Sequence, residues 1–213
     1  MKILRRLKEF ASRLDKTEKL DDSFVFPYSS DKTIKRQQIW DNLQKGFLFE
    51  DKQILIPWLT PFNRLDNFKE KRQDSGDRTV WYLGKRTVLE GYKGHFEVMK
   101  WMWLPWTNGF ERVTEFLGFG KEGHINFLLL ISHLKDLFGD PTKIEIEFEN
   151  EDFTEGSYEW ENGEVKIRVS GFDMHGARYT LNIGLSKNRN EEYFNKTIEK
   201  LKASGLTEEE LGK

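Results

Sequence analysis

Asp173 and His175 lie two residues apart, with Arg178 and Tyr179 just behind them. A carboxylate beside an imidazole can serve general-base catalysis. Their setting is the turn-forming string GFDMHGA, and His95 falls in a similar string, YKGHF, so turn polarity accounts for both histidines. None of the four histidines, His95, His124, His133 and His175, is spaced four residues from another, and the chain has no H-E-x-x-H and no Cys. Neither a zinc site nor thiol chemistry has support. Gly118, Gly120 and Gly123 spell G-x-G-x-x-G ahead of a helical pattern, with the strand-like IEIEF and Glu149 beyond. A dinucleotide site needs a buried strand before the first glycine. FERVTEFL is polar at alternate and helical positions alike, so the glycines are expected to join two helices. No G-x-S-x-G elbow or P-loop is present. The expectation is no catalytic residue, no cofactor and no metal.

The strongest charge anomaly is acidic. From Ile144 to Glu164 the chain has nine carboxylates (Glu145, Glu147, Glu149, Glu151, Asp152, Glu155, Glu159, Glu161 and Glu164) and no Lys or Arg. A period of two puts Ile144, Ile146 and Phe148 on a core face and Glu145, Glu147 and Glu149 on the other, carboxylates about 7 Å apart. Their repulsion would be relieved by a cationic partner; a solvated, charge-protected strand edge is the other reading. The first eight of these carboxylates are the candidate partner-binding residues. A second candidate surface is HFEVMKWMWLPW, where Met99, Trp101 and Trp103 alternate with Phe96, Val98 and Met102. Apolar residues at both phases predict a strand covered on both sides. If exposed, the Met-Trp face would be a recognition surface.

The elements that must hold these residues can be read from periodicity and turn residues. Residues 1–19 hold seven Lys or Arg and three Asp or Glu, with Ile3, Leu4, Leu7, Phe10, Ala11 and Leu14 at helical spacing, a basic amphipathic helix expected to dock on the rest of the protein. A helix from Ser30 or Asp31 to Gly46 follows, then a hairpin in FLFEDKQILIPW, then a helix opened by Pro61. Strands are expected at 79–83, 86–90 and 95–104, with Gly84-Lys85 and the glycines at 91 and 94 turning between them. NFLLLISHLKDLFGDP is a helix stopped by Gly139 and Pro141, Asn162-Gly163 is a hairpin turn, and NRNEEYFNKTIEKLKASG is a last helix before an acidic tail.

An internal echo organises the chain. A shift of 48 residues lays LIPWLTPFNRLDNF on WLPWTNGFERVTEF, pairing Trp58 with Trp106 and Phe62 with Phe110, and predicts helices in both. A gapped echo pairs Trp81 with Trp160 and Gly91-Tyr92 with Gly171-Phe172. The expected fold is α+β: N-terminal helices and an arm over 1–46, helix-plus-meander units over 47–104 and 105–186, and a C-terminal helix and tail over 187–213. Thirty-four basic against 36 acidic residues leave a net charge of −2, which gives no general field for nucleic acid. The longest uncharged apolar run, FLLLI, is far short of the ~20 residues that span a bilayer, and with a charged start and no Cys a cytoplasmic protein is expected.

In layout, the tandem helix-and-antiparallel-sheet plan over roughly 47–186 resembles β-lactamase-inhibitor-like folds and small bacterial immunity proteins, though no specific family motif is matched. The resemblance implies a stoichiometric binder whose acidic face meets a cationic toxin or enzyme. Two alternatives stand beside it. One is an adaptor or self-associating protein using the strand 95–104, and the other an enzyme with a site near Asp173 and His175.

Overall fold

The computed structural model describes residues 23–102, 109–187 and 189–203; the expected N-terminal helix and Trp103 lie outside them. The described residues form an α+β fold with three α-helices and ten strands in two antiparallel sheets. Helix α1, Lys32–Lys45, starts where the Asp31 carboxylate accepts the N–H groups of Thr33 and Ile34. It buries Ile39, Trp40 and Leu43, whereas Ile34 is exposed. Gly46, which ends the helix, is extended. A Cβ on it would come within 2.2 Å of the Ile56 carbonyl oxygen, because the helix runs straight into β1 (Gly46–Phe49), paired with β2 (Ile54–Pro57).

Pro61 opens a 3-10 helix, Phe62–Asn67, in place of the expected α-helix. Strands β3 (Lys71–Ser75), β4 (Arg78–Val88) and β5 (Tyr92–Trp101) follow, and β3 was not foreseen. Gly84-Lys85 is no turn: β4 runs through it with a shift in register between Tyr82 and Gly84, a bulge that Gly84 accommodates at φ 77. Strand β6 spans Arg112–Phe119, so FERVTEFL is not a helix. Its period is two, with Val113, Glu115 and Leu117 buried and Phe116 and Phe119 exposed. Helix α2 (Gly120–Phe138) leads to β7 (Lys143–Glu149), β8 (Thr154–Asn162), β9 (Val165–Asp173), β10 (Ala177–Leu185) and α3 (Arg189–Ala203).

The large sheet has the order β3-β4-β5-β6-β10-β9-β8-β7. One face is buried: Phe127, Leu130 and Leu134 of α2 share a core with Ile167, Val169, Tyr179, Leu181 and Ile183, and Phe47 of the hairpin packs against Phe96. Each such side chain contributes about 1.5–3 kcal/mol on burial. The G-x-G-x-x-G glycines let α2 press onto β6, since a Cβ on Gly123 would fall 2.6 Å from the Gly118 oxygen and 2.8 Å from the Tyr179 ring. They join a strand to a helix, not two helices, and each neighbour in this sheet is antiparallel.

The echo at 48 residues does not hold locally, because it lays the 3-10 helix on β6. Leu59 and Phe110 instead pair with each other by a 2.8 Å N–H to carbonyl bond, and Trp106 lies outside the described residues. Of the gapped echo only the Trp81–Trp160 pair corresponds to shared structure, since Gly91-Tyr92 enters β5 while Gly171-Phe172 lies near the end of β9. The order strand, helix, meander recurs as β2, 3-10 helix, β3-β4-β5 and as β6, α2, β7-β8-β9. In each, the buried Trp of the middle meander strand donates its indole N–H to the preceding helical segment: Trp81 to Asp66, and Trp160 to the Gly139 carbonyl that follows α2.

Glu115 is buried on the covered face, where burial pushes its pKa up against the pull of the Tyr92 hydroxyl and the His95 N–H. A raised folded-state pKa means that the stabilising contribution is complete at acid pH and is lost as pH rises through that value. Glu115→Gln keeps an acceptor for His95 and is expected to raise stability by about 1 kcal/mol at pH 8 while changing little at pH 4. Urea denaturation at the two pH values measures it; a variant less stable at pH 8 would contradict the sign.

Candidate functional site

Among the described residues, the other face of the eight-stranded sheet carries mostly exposed and half-buried side chains, with Val80, Ser157 and Glu159 buried. One row crosses all eight strands in register: Lys71, Tyr82, Glu97, Thr114, Asn182, Arg168, Glu159 and Lys143. The next row sets Arg112 and Lys166 on either side of Gly184, with Glu161 beyond. Small residues in the middle of the face, among them Ser170, Thr180 and Gly184, leave a cavity of about 490 Å³ rimmed by Arg112, Glu147, Glu155, Lys166, Arg168 and Phe172.

Toward the far end the face becomes aromatic. Phe119, Arg178 and Phe172 lie side by side on β6, β10 and β9. The Arg178 guanidinium sits 5.1 Å from the Phe119 ring centre, and Phe116 meets Phe119 edge-on at 4.5 Å. Phe116 and Phe119 are 45% and 58% exposed, an unusual cost in apolar surface for a strand whose other face is well packed.

The acidic stretch is neutralised more than its sequence indicates. Glu159 is buried and forms ion pairs with Lys166 at 3.0 Å and Arg168 at 3.4 Å, and Lys166 also reaches Glu161 at 3.8 Å. Lys143 bonds Glu145 at 2.6 Å; that bond, with Arg168 and Lys166 nearby, holds the Glu145 carboxyl below the usual range. Lys143 lies two residues before Glu145 in β7, whereas Lys166 and Arg168 reach Glu159 from β9, a pairing that only the sheet creates. The row of Glu145, Glu147 and Glu149 is also broken. The ladder shifts between Ile146 and Phe148, and Glu149 acts on Tyr158, a ring in contact with Phe127 of α2. Ile144, expected in the core, is exposed because β7 is an edge strand, and Phe148, also expected there, is exposed beyond the shift, where its ladder partner is Glu155. Asp152 pairs with Lys121, while Glu147, Glu149, Glu151 and Glu155 carry no ion pair among the described residues. The anionic part of this surface is therefore the β7–β8 end.

Met99 and Trp101 face the same open side, opposite Val80 and Arg78 of β4. On the other side of β5 Phe96 and Val98 are buried, while on the Met99 side, among the described residues, Glu97 and Trp101 are half-buried and Val80, opposite Met99, is buried. Four strand spacings, about 19 Å, separate β5 from β8. The fold brings both candidate surfaces to one face without joining them.

No protein-family model, curated protein or solved structure matches the chain. Asp173, His175, Arg178 and Tyr179 do not converge. Asp173 accepts the Gly176 N–H and His175 sits at φ 59, both turn roles, while Arg178 points to the open face and Tyr179 is buried beneath α2. Among the described residues no group of three His, Asp or Glu is placed to hold a metal, and no helix is long and apolar enough to cross a membrane. Arg112, Lys166, Arg168, Phe116, Phe119 and Phe172 were not singled out from the sequence. The signal was available in VKIRVSGF, whose alternation puts Lys166, Arg168, Ser170 and Phe172 on the face opposite Val165, Ile167 and Val169.

Proposed function

We propose that this protein is a non-enzymatic binding module that seats a partner protein on the open face of its sheet, in the manner of a cytoplasmic inhibitor or immunity protein. The observation that supports this most is the pairing of exposed Phe116 and Phe119 with a rim of fixed charges on a rigid, otherwise well-packed sheet. Aromatic anchors beside hydrogen-bonded charges are the composition of interface hot spots. The partner's chemistry follows from the ends of the face. It presents an apolar surface to Phe116, Phe119 and Phe172, and cationic groups to Glu147, Glu151 and Glu155 at the β7–β8 end.

The test uses full-length protein as bait in host extract, with Phe116→Ser/Phe119→Ser beside wild type and Ile34→Ser, exposed on α1, as control. One protein is expected to be captured by wild type and control and lost with the double variant. Glu147→Lys/Glu155→Lys is expected to slow association with that protein at least tenfold at low salt, and less as salt rises. Capture indifferent to all these changes would sink the reading. Exposure of Met99 supports a second one, in which an adaptor or self-associating protein uses the β5 end of the face. Loss of capture on Met99→Ser but not on Phe116→Ser/Phe119→Ser would favour it.

A further inference from the structure

The cavity in the middle of the open face has cations at one end whose hydrogen-bonding capacity the protein leaves unused. Gly184 of β10 has Arg112 of β6 and Lys166 of β9 as its register partners, so two strand spacings, about 10 Å, separate those two residues at the backbone. Only glycine fits between them: a Cβ on Gly184 would lie 2.8 Å from the Arg112 Cα and 3.0 Å from its Cβ. Arg168 stands one row further along β9, opposite Asn182. Glu159 engages Lys166 and only the Nε of Arg168, at 3.4 Å. Arg112 and the two terminal nitrogens of Arg168 have no hydrogen bond or ion pair among the described residues. Three cations therefore face two carboxylates, Glu159 and Glu161. The floor beyond them is polar, with Ser170 and Thr180 side by side on β9 and β10. Phe172 stands four residues from Arg168, about 13 Å along β9, with Glu147 and Glu155 on the rim beyond.

We propose that this cavity binds a small organic molecule with a single anionic head, a carboxylate or a phosphate, seated between Arg112, Lys166 and Arg168. Two guanidinium forks offer paired N–H donors to the oxygens of such a head, the geometry in which arginine binds oxyanions most strongly. At about 490 Å³ the cavity has the size of small-molecule sites. The body of the ligand lies over Ser170 and Thr180 toward Phe172, and the far end, with Glu147 and Glu155, rejects a second anion. Phe116 and Phe119, the anchors for the partner protein, do not line the cavity, so binding of the small molecule does not depend on that partner.

The test titrates the full chain with phenyl phosphate and, separately, with benzoate, read by the amide resonances of Lys166, Arg168, Ser170, Asn182 and Gly184. Saturable shifts centred there are expected with at least one of the two, which decides between the phosphate and carboxylate heads, and none with uncharged benzyl alcohol. Arg112→Gln, at an exposed position, is expected to weaken binding at least roughly tenfold, while Lys85→Gln, an exposed cation of β4 outside the cavity, leaves it unchanged. The matching para-substituted bis-anion is expected to bind severalfold more weakly than the mono-anion, and Glu147→Gln/Glu155→Gln to remove that difference. No saturable shift with either head, shifts spread equally over the exposed lysines, or binding indifferent to Arg112→Gln would overturn the proposal.

Discussion

Trp58→Ala is expected to destabilise the protein by about 3–5 kcal/mol, the cost of emptying a buried Trp site. Trp58 is 4% exposed, and its indole N–H reaches the Leu43 carbonyl at 2.6 Å. It packs against Phe47 of β1 and Phe110 at ring distances of 6.5 and 5.2 Å. One side chain therefore ties the end of α1, the small hairpin and the segment entering β6. Trp58→Phe keeps most of the ring packing and leaves the Leu43 carbonyl short of a donor, a loss of about 1–3 kcal/mol. Urea midpoints at constant slope measure both. A loss under 1 kcal/mol for the alanine variant would show that the three elements hold together without it.

Gly156→Val is expected to have the largest local effect. Gly156 has φ 141, and a Cβ there would lie 2.1 Å from the Glu145 carbonyl oxygen and 2.8 Å from the Ile146 Cα, backbone that cannot swing aside. The strain is relieved only if β7 moves off β8, at a cost of several kcal/mol to that edge. Amide exchange should rise by orders of magnitude in β7 while β9 and β10 stay protected, and the carboxylates of the β7–β8 end should lose their placement. Uniform exchange across the sheet would instead mean that β7 is part of one cooperative unit with the rest.

The sequence revealed elements bounded by strong punctuation. Asp31 and Gly139 mark real boundaries because capping leaves few alternatives to the residue types found there, whereas the hairpin expected to turn at Asn162-Gly163 turns at Gly163-Glu164, with Asn162 paired to Val165 in the ladder. Bulges and close approaches defeated the same reasoning. Gly84 looks like a turn glycine but lies within β4, and Gly46 looks like a cap but serves a backbone approach. FERVTEFL aligns with a helical segment, yet Val113, Glu115 and Leu117 alternate with polar or exposed positions as a strand requires. The acidic run was legible and its neutralisation was not, since Lys166 and Arg168 reach Glu159 only across a strand pair. For the same reason the open face was invisible as a unit: its residues come from strands whose order, with β10 between β6 and β9, no local pattern encodes.

Side-chain oxidative footprinting of the complex with the captured partner shows which face of the sheet the partner covers. Hydroxyl radicals modify exposed Met, Phe, Trp and Leu, so the two sides of the sheet report separately. Met99 and Trp101 at one end of the open face are read beside Phe116, Phe119 and Phe172 at the other, with Leu128, Leu129 and Ile34 as the opposite side. The account predicts that Phe116, Phe119 and Phe172 lose most of their reactivity on binding while Ile34, Leu128 and Leu129 keep theirs. Unchanged reactivity at the three phenylalanines, with protection appearing on α2 or α1, would contradict it.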